Sequence, residues 1–148
     1  MKINKYLKEL GLDWCDLPGN YDGKLHNCGI TKLENSAAAD PRNKIDEEGF
    51  CDYEFFSLDY SMALYIYPRL CKFRDEYAKF GTPGCFCYNK NGEPIKDGNK
   101  KWLKTLDKMI LAFKCIILDP ADVEHEKKSK IVNRGLTLFA KYYNCLWY

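Results

Sequence analysis

A chain of 148 residues, 46% hydrophobic and 30% charged, is long enough for one domain burying about 70% of its unfolded surface, and too apolar for global disorder. Its net charge of +2 and pI near 8.0 fall short of the basic footprint, a pI above about 9, that a nucleic-acid partner calls for. No apolar run approaches the ~20 residues of a membrane span, and no apolar stretch follows the N-terminal lysines, so no secretory leader is expected and the chain is read as cytoplasmic.

In chain order, residues 2–10 predict a short helix with Ile3, Tyr6, Leu7 and Leu10 on its apolar face and Gly11 as its stop. From Leu12 to about Phe55 periodicity fails. Turn signals at Pro18-Gly19, Tyr21-Asp22-Gly23, Asn27-Cys28-Gly29 and Asp40-Pro41 make this an irregular arm, anchored by Trp14, Phe50, Tyr53, Phe55 and Phe56. Residues 57–80 predict a long helix capped by Ser57 and kinked at Pro68, with a stripe of Leu58, Met62, Ile66, Leu70, Phe73, Tyr77 and Phe80. After Gly81 and Pro83, the Asn91-Gly92 turn signal predicts a small β-hairpin over Cys85–Ile95, with Pro94 confining the second arm to an edge. A helix from Lys100 to about Leu118 carries Trp102, Leu103, Leu106, Met109, Ile110, Phe113 and Ile117 on one face. Asp119-Pro120 is expected to start the last helix, charged as far as Lys130 and apolar through Leu138, Phe139, Tyr142, Leu146 and Trp147. The predicted fold is mainly α: a single domain, 1–148, in which residues 1–55 give the short helix and arm. Residues 56–148 give an antiparallel bundle of three long helices with the hairpin.

Chemistry-bearing motifs are scarce. The eight cysteines have no C-x-x-C spacing and no zinc-finger histidines, and are read as thiols with no metal site. Cys71, Cys115 and Cys145 fall within helical patterns, as small buried hydrophobes do. If Cys85-Phe86-Cys87 lies in a strand, its successive side chains point to opposite faces. His26, in the irregular arm, and His125, among surface charges, are the only histidines, and no nucleophile–base pair is visible at either. Walker, dinucleotide-binding, zincin, nucleophile-elbow and EF-hand patterns are absent, so neither an enzyme nor a cofactor is expected. Asp59 and Asp107 could be drawn as an acid–base pair. The plainer reading has Asp59 supporting a helix N-terminus and Asp107 bonding a lysine or tyrosine at the bundle edge.

The cations are more informative beside the aromatics. Arg69 and Lys72 follow the proline, while Arg134 and Lys141 lie on the last helix with Tyr142 and Tyr143. If those helices are neighbours, they line a groove suited to a phosphate and a stacked base. The competing reading is a solvated helix face with the aromatics serving the core.

Three segments then resemble, in order, the motifs of a family of small, largely uncharacterised proteins from tailed bacteriophages. The first is Phe56-Ser57-Leu58-Asp59-Tyr60-Ser61-Met62-Ala63 with Ile66, Pro68, Arg69-Leu70 and Lys72, closed by Gly81-Thr82-Pro83. The second is Trp102, Leu106-Asp107-Lys108-Met109-Ile110 and Ala112-Phe113. The third is Gly135-Leu136, Leu138-Phe139-Ala140-Lys141-Tyr142 and Leu146-Trp147. The chain departs from the pattern at Tyr60, often His in the family, at Ala140, usually Gly, and at Tyr148, usually acidic. Residues 1–55 lie outside the resemblance. It implies a phage product acting in the bacterial host cytoplasm, not a reaction. The expected function is non-enzymatic binding, as counter-defence that sequesters a phosphorylated or cyclic nucleotide or blocks a host protein. Candidate ligand contacts are Arg69, Lys72, Arg134, Lys141 and Tyr142, with Asp59 and Tyr60 of the first motif. The alternative is a phage structural or assembly accessory that self-associates through apolar helix faces as a homo-oligomer.

Overall fold

The computed structural model describes residues 5–12, 55, 58–118 and 124–147. The Ser57 cap, most of the irregular arm, the Asp119-Pro120 boundary, His26, Cys15, Cys28 and Cys51 lie outside them. The described residues are mainly helical, as expected, and form no strand. The chain divides into two compact units, residues 1–68 and 69–148.

In the first unit, α1 (Lys5–Lys8) buries Tyr6 and Leu7. Its stop is the expected one. Gly11 takes φ +74°, the left-handed conformation that a side chain disfavours. The Leu12 N–H reaches the Leu7 carbonyl at 3.0 Å and the Gly11 N–H reaches Lys8 at 3.0 Å, the paired bonds of a Schellman close. Helix α2 (Leu58–Lys72) runs through Pro68 into the second unit. Its buried side chains are Ala63, Leu64, Tyr67, Pro68, Leu70 and Cys71, whereas Leu58, Met62 and Tyr65 are about half exposed. The expected stripe is therefore rotated. Nearly every residue from Met62 to Tyr67 is apolar, so periodicity had no polar face to set its phase.

The second unit begins at Arg69. After Lys72 the helix widens into a π-helical segment, Phe73–Tyr77, in which the Ala78 N–H bonds the Phe73 carbonyl at 2.8 Å. This i→i+5 turn shifts the helical phase. Phe80, extrapolated to the buried stripe, is 81% exposed. Asn99 holds the end of the segment, its Nδ2 donating to the Ala78 carbonyl at 3.2 Å and to Thr82 Oγ1 at 2.9 Å.

The predicted hairpin is corrected. Its first arm is a helical turn, α3 (Gly84–Cys87), and the ribbon reduces to one antiparallel bridge between Tyr88 and Pro94. The Asn91-Gly92 turn itself is present, with Gly92 at φ +79°. Asn89 organises it, its Oδ1 accepting the Asn91 and Glu93 N–H groups at 2.9 and 3.0 Å. A side chain that supplies these bonds makes a longer strand ladder unnecessary.

Helix α4 (Gly98–Leu118) is the core element. It buries Trp102, Leu106, Met109, Phe113 and Ile117 of the expected face, together with Thr105, Ala112 and Cys115. Helix α5 (His125–Lys141) follows Glu124 and ends at Tyr142 rather than continuing to Trp147. A 3₁₀ turn, Tyr143–Cys145, follows. α4 and α5 pack along their lengths. They run antiparallel, since Trp102 near the start of α4 meets Tyr142 beyond the end of α5 at a ring separation of 6.1 Å. Gly135, the only buried residue of α5, marks the close approach: a Cβ there would overlap the Ala112 methyl and lie 2.6 Å from the Lys108 carbonyl oxygen. Phe86 of α3 completes the end of this pair, 5.1 Å from Trp102 and 5.0 Å from Tyr142. Within residues 69–148 two long helices pair, with the π segment against α4.

Candidate functional site

A cavity of about 540 Å³ lies in the second unit, lined by Arg69, Lys72, Phe73, Tyr77, Leu146 and Trp147. Three local features build it. The last turn of α2 presents Arg69 and Lys72 three residues apart, which places them on one side of a helix. The π segment then contributes its first and last residues, Phe73 and Tyr77, close to one π turn apart. The 3₁₀ turn after α5 brings the chain round so that Leu146 and Trp147 form the opposite wall.

The electrostatics are mixed. Lys72 Nζ lies 3.8 Å from Glu76 Oε2, a loose pair with both side chains about half exposed. Such a pair contributes little and yields readily to a stronger anion. Arg74, also in the π segment, is committed elsewhere. Its Nε and Nη2 donate to the two Asp107 carboxylate oxygens at 2.8 and 3.5 Å, and its Nη1 to Asp75 at 3.3 Å. The Asp107 hydrogen bond raises the Arg74 pKa, with Asp75 adding to it. Asp107 is thus a fastener between the π segment and α4, and its partner is an arginine rather than the expected lysine or tyrosine. The cavity offers two cations, a phenol, two further aromatic faces and an aliphatic wall. That set can hold an anionic group and stack a planar ring.

Of the residues singled out in the sequence, Arg69 and Lys72 line the cavity. Arg134 and Lys141 do not; both are exposed on α5, and Lys141 Nζ sits 5.0 Å from the Tyr142 ring centroid. Tyr142 instead packs on Phe86 and Trp102. Asp59 and Tyr60 belong to the first unit, in the opening turn of α2. Phe73, Tyr77, Leu146 and Trp147 were read as core residues, and Trp147 is 71% exposed. Arg69 and Lys72 belong to the first of the three quoted segments and Leu146 and Trp147 to the third, while Phe73 and Tyr77 lie in neither.

His125 is exposed at the start of α5. Among the described residues no cluster of three or more His, Cys, Asp or Glu side chains could hold a metal ion, and no helix is long and apolar enough to cross a membrane. Cys71, Cys85, Cys87, Cys115 and Cys145 are free thiols, with Cys71 and Cys115 buried as expected and Cys145 only half-buried. No protein-family model, curated protein or solved structure matches the chain.

Proposed function

We propose that this chain is a non-enzymatic binding protein for a phosphorylated, nucleotide-type small molecule, held in the Arg69/Lys72 cavity. The observation that carries the reading is the composition of that cavity, in which Arg69 and Lys72 stand beside Phe73, Tyr77 and Trp147. Arg69 and Lys72 provide for the phosphate, and an aromatic side chain provides for the base. The resemblance of the three motifs to a tailed-phage family supplies the setting: a phage product acting in the host cytoplasm, where holding such a signal without turning it over would blunt a defence response.

A thermal-shift screen against cyclic nucleotides, cyclic ADP-ribose isomers and linear nucleotides tests the proposal. A true ligand at 100-fold its Kd stabilises by about 2.7 kcal/mol, which reads as a Tm rise of several degrees. Arg69→Ala and Lys72→Ala, both at exposed positions, are expected to weaken binding by about ten- to a hundredfold each, with helical circular dichroism unchanged. The ligand should be recovered chemically intact. The absence of any shift, or a shift unaffected by both substitutions, removes this reading.

A second reading, a phage structural or assembly accessory, has its own observation. Leu58, Met62 and Tyr65 of α2 are 48%, 52% and 50% exposed, an apolar helix surface suited to self-association. Light scattering that shows an oligomer dissociated by Met62→Lys, without ligand binding, would favour it.

A further inference from the structure

An acid stands at the edge of the Arg69/Lys72 cavity. Lys72 closes α2 and Glu76 belongs to the π segment, four residues on and one helical turn away. Lys72 lines the cavity, and Glu76, outside that lining, brings its Oε2 to 3.8 Å from Lys72 Nζ. An anionic oxygen hydrogen-bonded to Nζ at about 2.8 Å is then no more than about 7 Å from the carboxylate, inside a Debye length at physiological salt. A ligand that displaces Glu76 from the ammonium leaves the carboxylate tethered one turn along the helix. Arg74, the next cation in the segment, is occupied by Asp107 and Asp75. Every negative charge brought to Lys72 is therefore drawn by the ammonium and repelled by Glu76.

We infer that Glu76 is the specificity-determining residue of this site, turning it away from doubly charged phosphomonoesters and toward singly charged phosphodiesters. Such a preference narrows the binding function proposed above and rests on it. A diester carries one negative charge, whereas a monoester carries close to two above its second pKa of about 6. The second charge adds to the cost of leaving water. Lys72 beside a neutral residue would repay much of that cost, but beside Glu76 its attraction is largely cancelled at the distance of the phosphate. Phe73, Tyr77 and Trp147 line the cavity for either ligand, so the stacked ring contributes alike to both and drops out of the comparison.

The test uses matched pairs that share a base and differ in the phosphate: the 3′,5′-cyclic and 5′-monophosphates of adenosine, guanosine, cytidine and uridine. Calorimetric titration of the full chain at pH 8 gives each Kd. Wild-type protein is expected to bind the cyclic member of a pair more tightly. In Glu76→Gln, an exposed position, the monophosphate should gain on its cyclic partner by about two- to fivefold, the range for an exposed charge pair. Helical circular dichroism should be unchanged. Asp75→Asn makes the same change in net charge one residue away, at a carboxylate that accepts from Arg74, and should leave the ratio at its wild-type value. Tighter binding of the monophosphate by wild type in every pair overturns the inference, as does a ratio that Glu76→Gln leaves unchanged or that Asp75→Asn shifts equally; the binding function survives all three. Failure of every pair to bind also overturns it, while a ligand from the wider thermal-shift screen that depends on Arg69 and Lys72 would still uphold the binding function.

Discussion

At the scale of single residues, the tightest constraint is at Gly135. Alanine would gain about 1 kcal/mol of helix propensity over glycine, yet its Cβ would overlap the Ala112 methyl and crowd the Lys108 carbonyl oxygen. Neither obstacle is a flexible side-chain end, so α4 and α5 must separate, and overpacking of this kind costs about 1–3 kcal/mol. Gly135→Ala is therefore expected to lower stability by up to about 2 kcal/mol in chemical denaturation, and an increase would show that the helices slide apart cheaply. The sequence exhibits this glycine only as the opening of its third motif; the reason for it lies in the facing helix. The same holds for the polar fasteners. Arg74 with Asp107, and Asn99 with Ala78 and Thr82, join residues remote in the chain, so neither pairing could be read before the partners were in place. Gly11 was legible because the whole of its effect is local.

At the scale of elements, α2 and its π extension show where a hydrophobic pattern works and where it fails. α4 was readable almost residue by residue, because polar positions alternate with Trp102, Leu106, Met109, Phe113 and Ile117 at helical spacing. α2 has apolar residues on both sides, and the π turn after Lys72 shifts the phase again. Pro68 lies inside α2, where it leaves the Leu64 carbonyl without its i+4 donor. The helix nevertheless continues as far as Lys72, and its departure from α geometry comes at Phe73. Pro68→Ala restores the donor and is expected to raise stability by about 1–3 kcal/mol, read as a Tm several degrees higher. A lower Tm would mean that packing of the buried ring outweighs the missing bond. Both end residues of the π segment line the cavity, and π turns recur at functional sites. The hairpin was misread because Asn91-Gly92 marks a reversal but says nothing of how many bonds flank it. Two backbone bonds flank it, from the Asn89 N–H to the Glu93 carbonyl at 2.9 Å and from the Ile95 N–H to the Cys87 carbonyl at 2.7 Å, and the Asn89 side chain holds the turn itself.

At the scale of the molecule, near-neutral charge gives no long-range field to gather an anion. Any preference for one must come from the few groups at the cavity itself. Arg69 and Lys72 were legible as cations following a proline, but Arg134 and Lys141 were grouped with them on an assumed neighbourhood of helices, and the cavity is closed instead by the last residues of the chain. The two described tryptophans have a consequence of their own. Trp102 is fully buried, and its indole N–H has no hydrogen-bond partner; Trp147 is 71% exposed on the cavity wall. They should therefore emit as two distinct fluorophores, Trp102 at shorter wavelength and shielded, Trp147 red-shifted and open to collision. In a Trp14→Phe background, iodide is expected to quench only the red-shifted component, and Trp147→Phe to abolish that quenchable fraction. If all emission is quenched equally, the burial of Trp102 is wrong. If the two components separate, the protein carries its own optical gauge: one signal reports the integrity of the α4–α5 core while the other reports occupancy of the cavity.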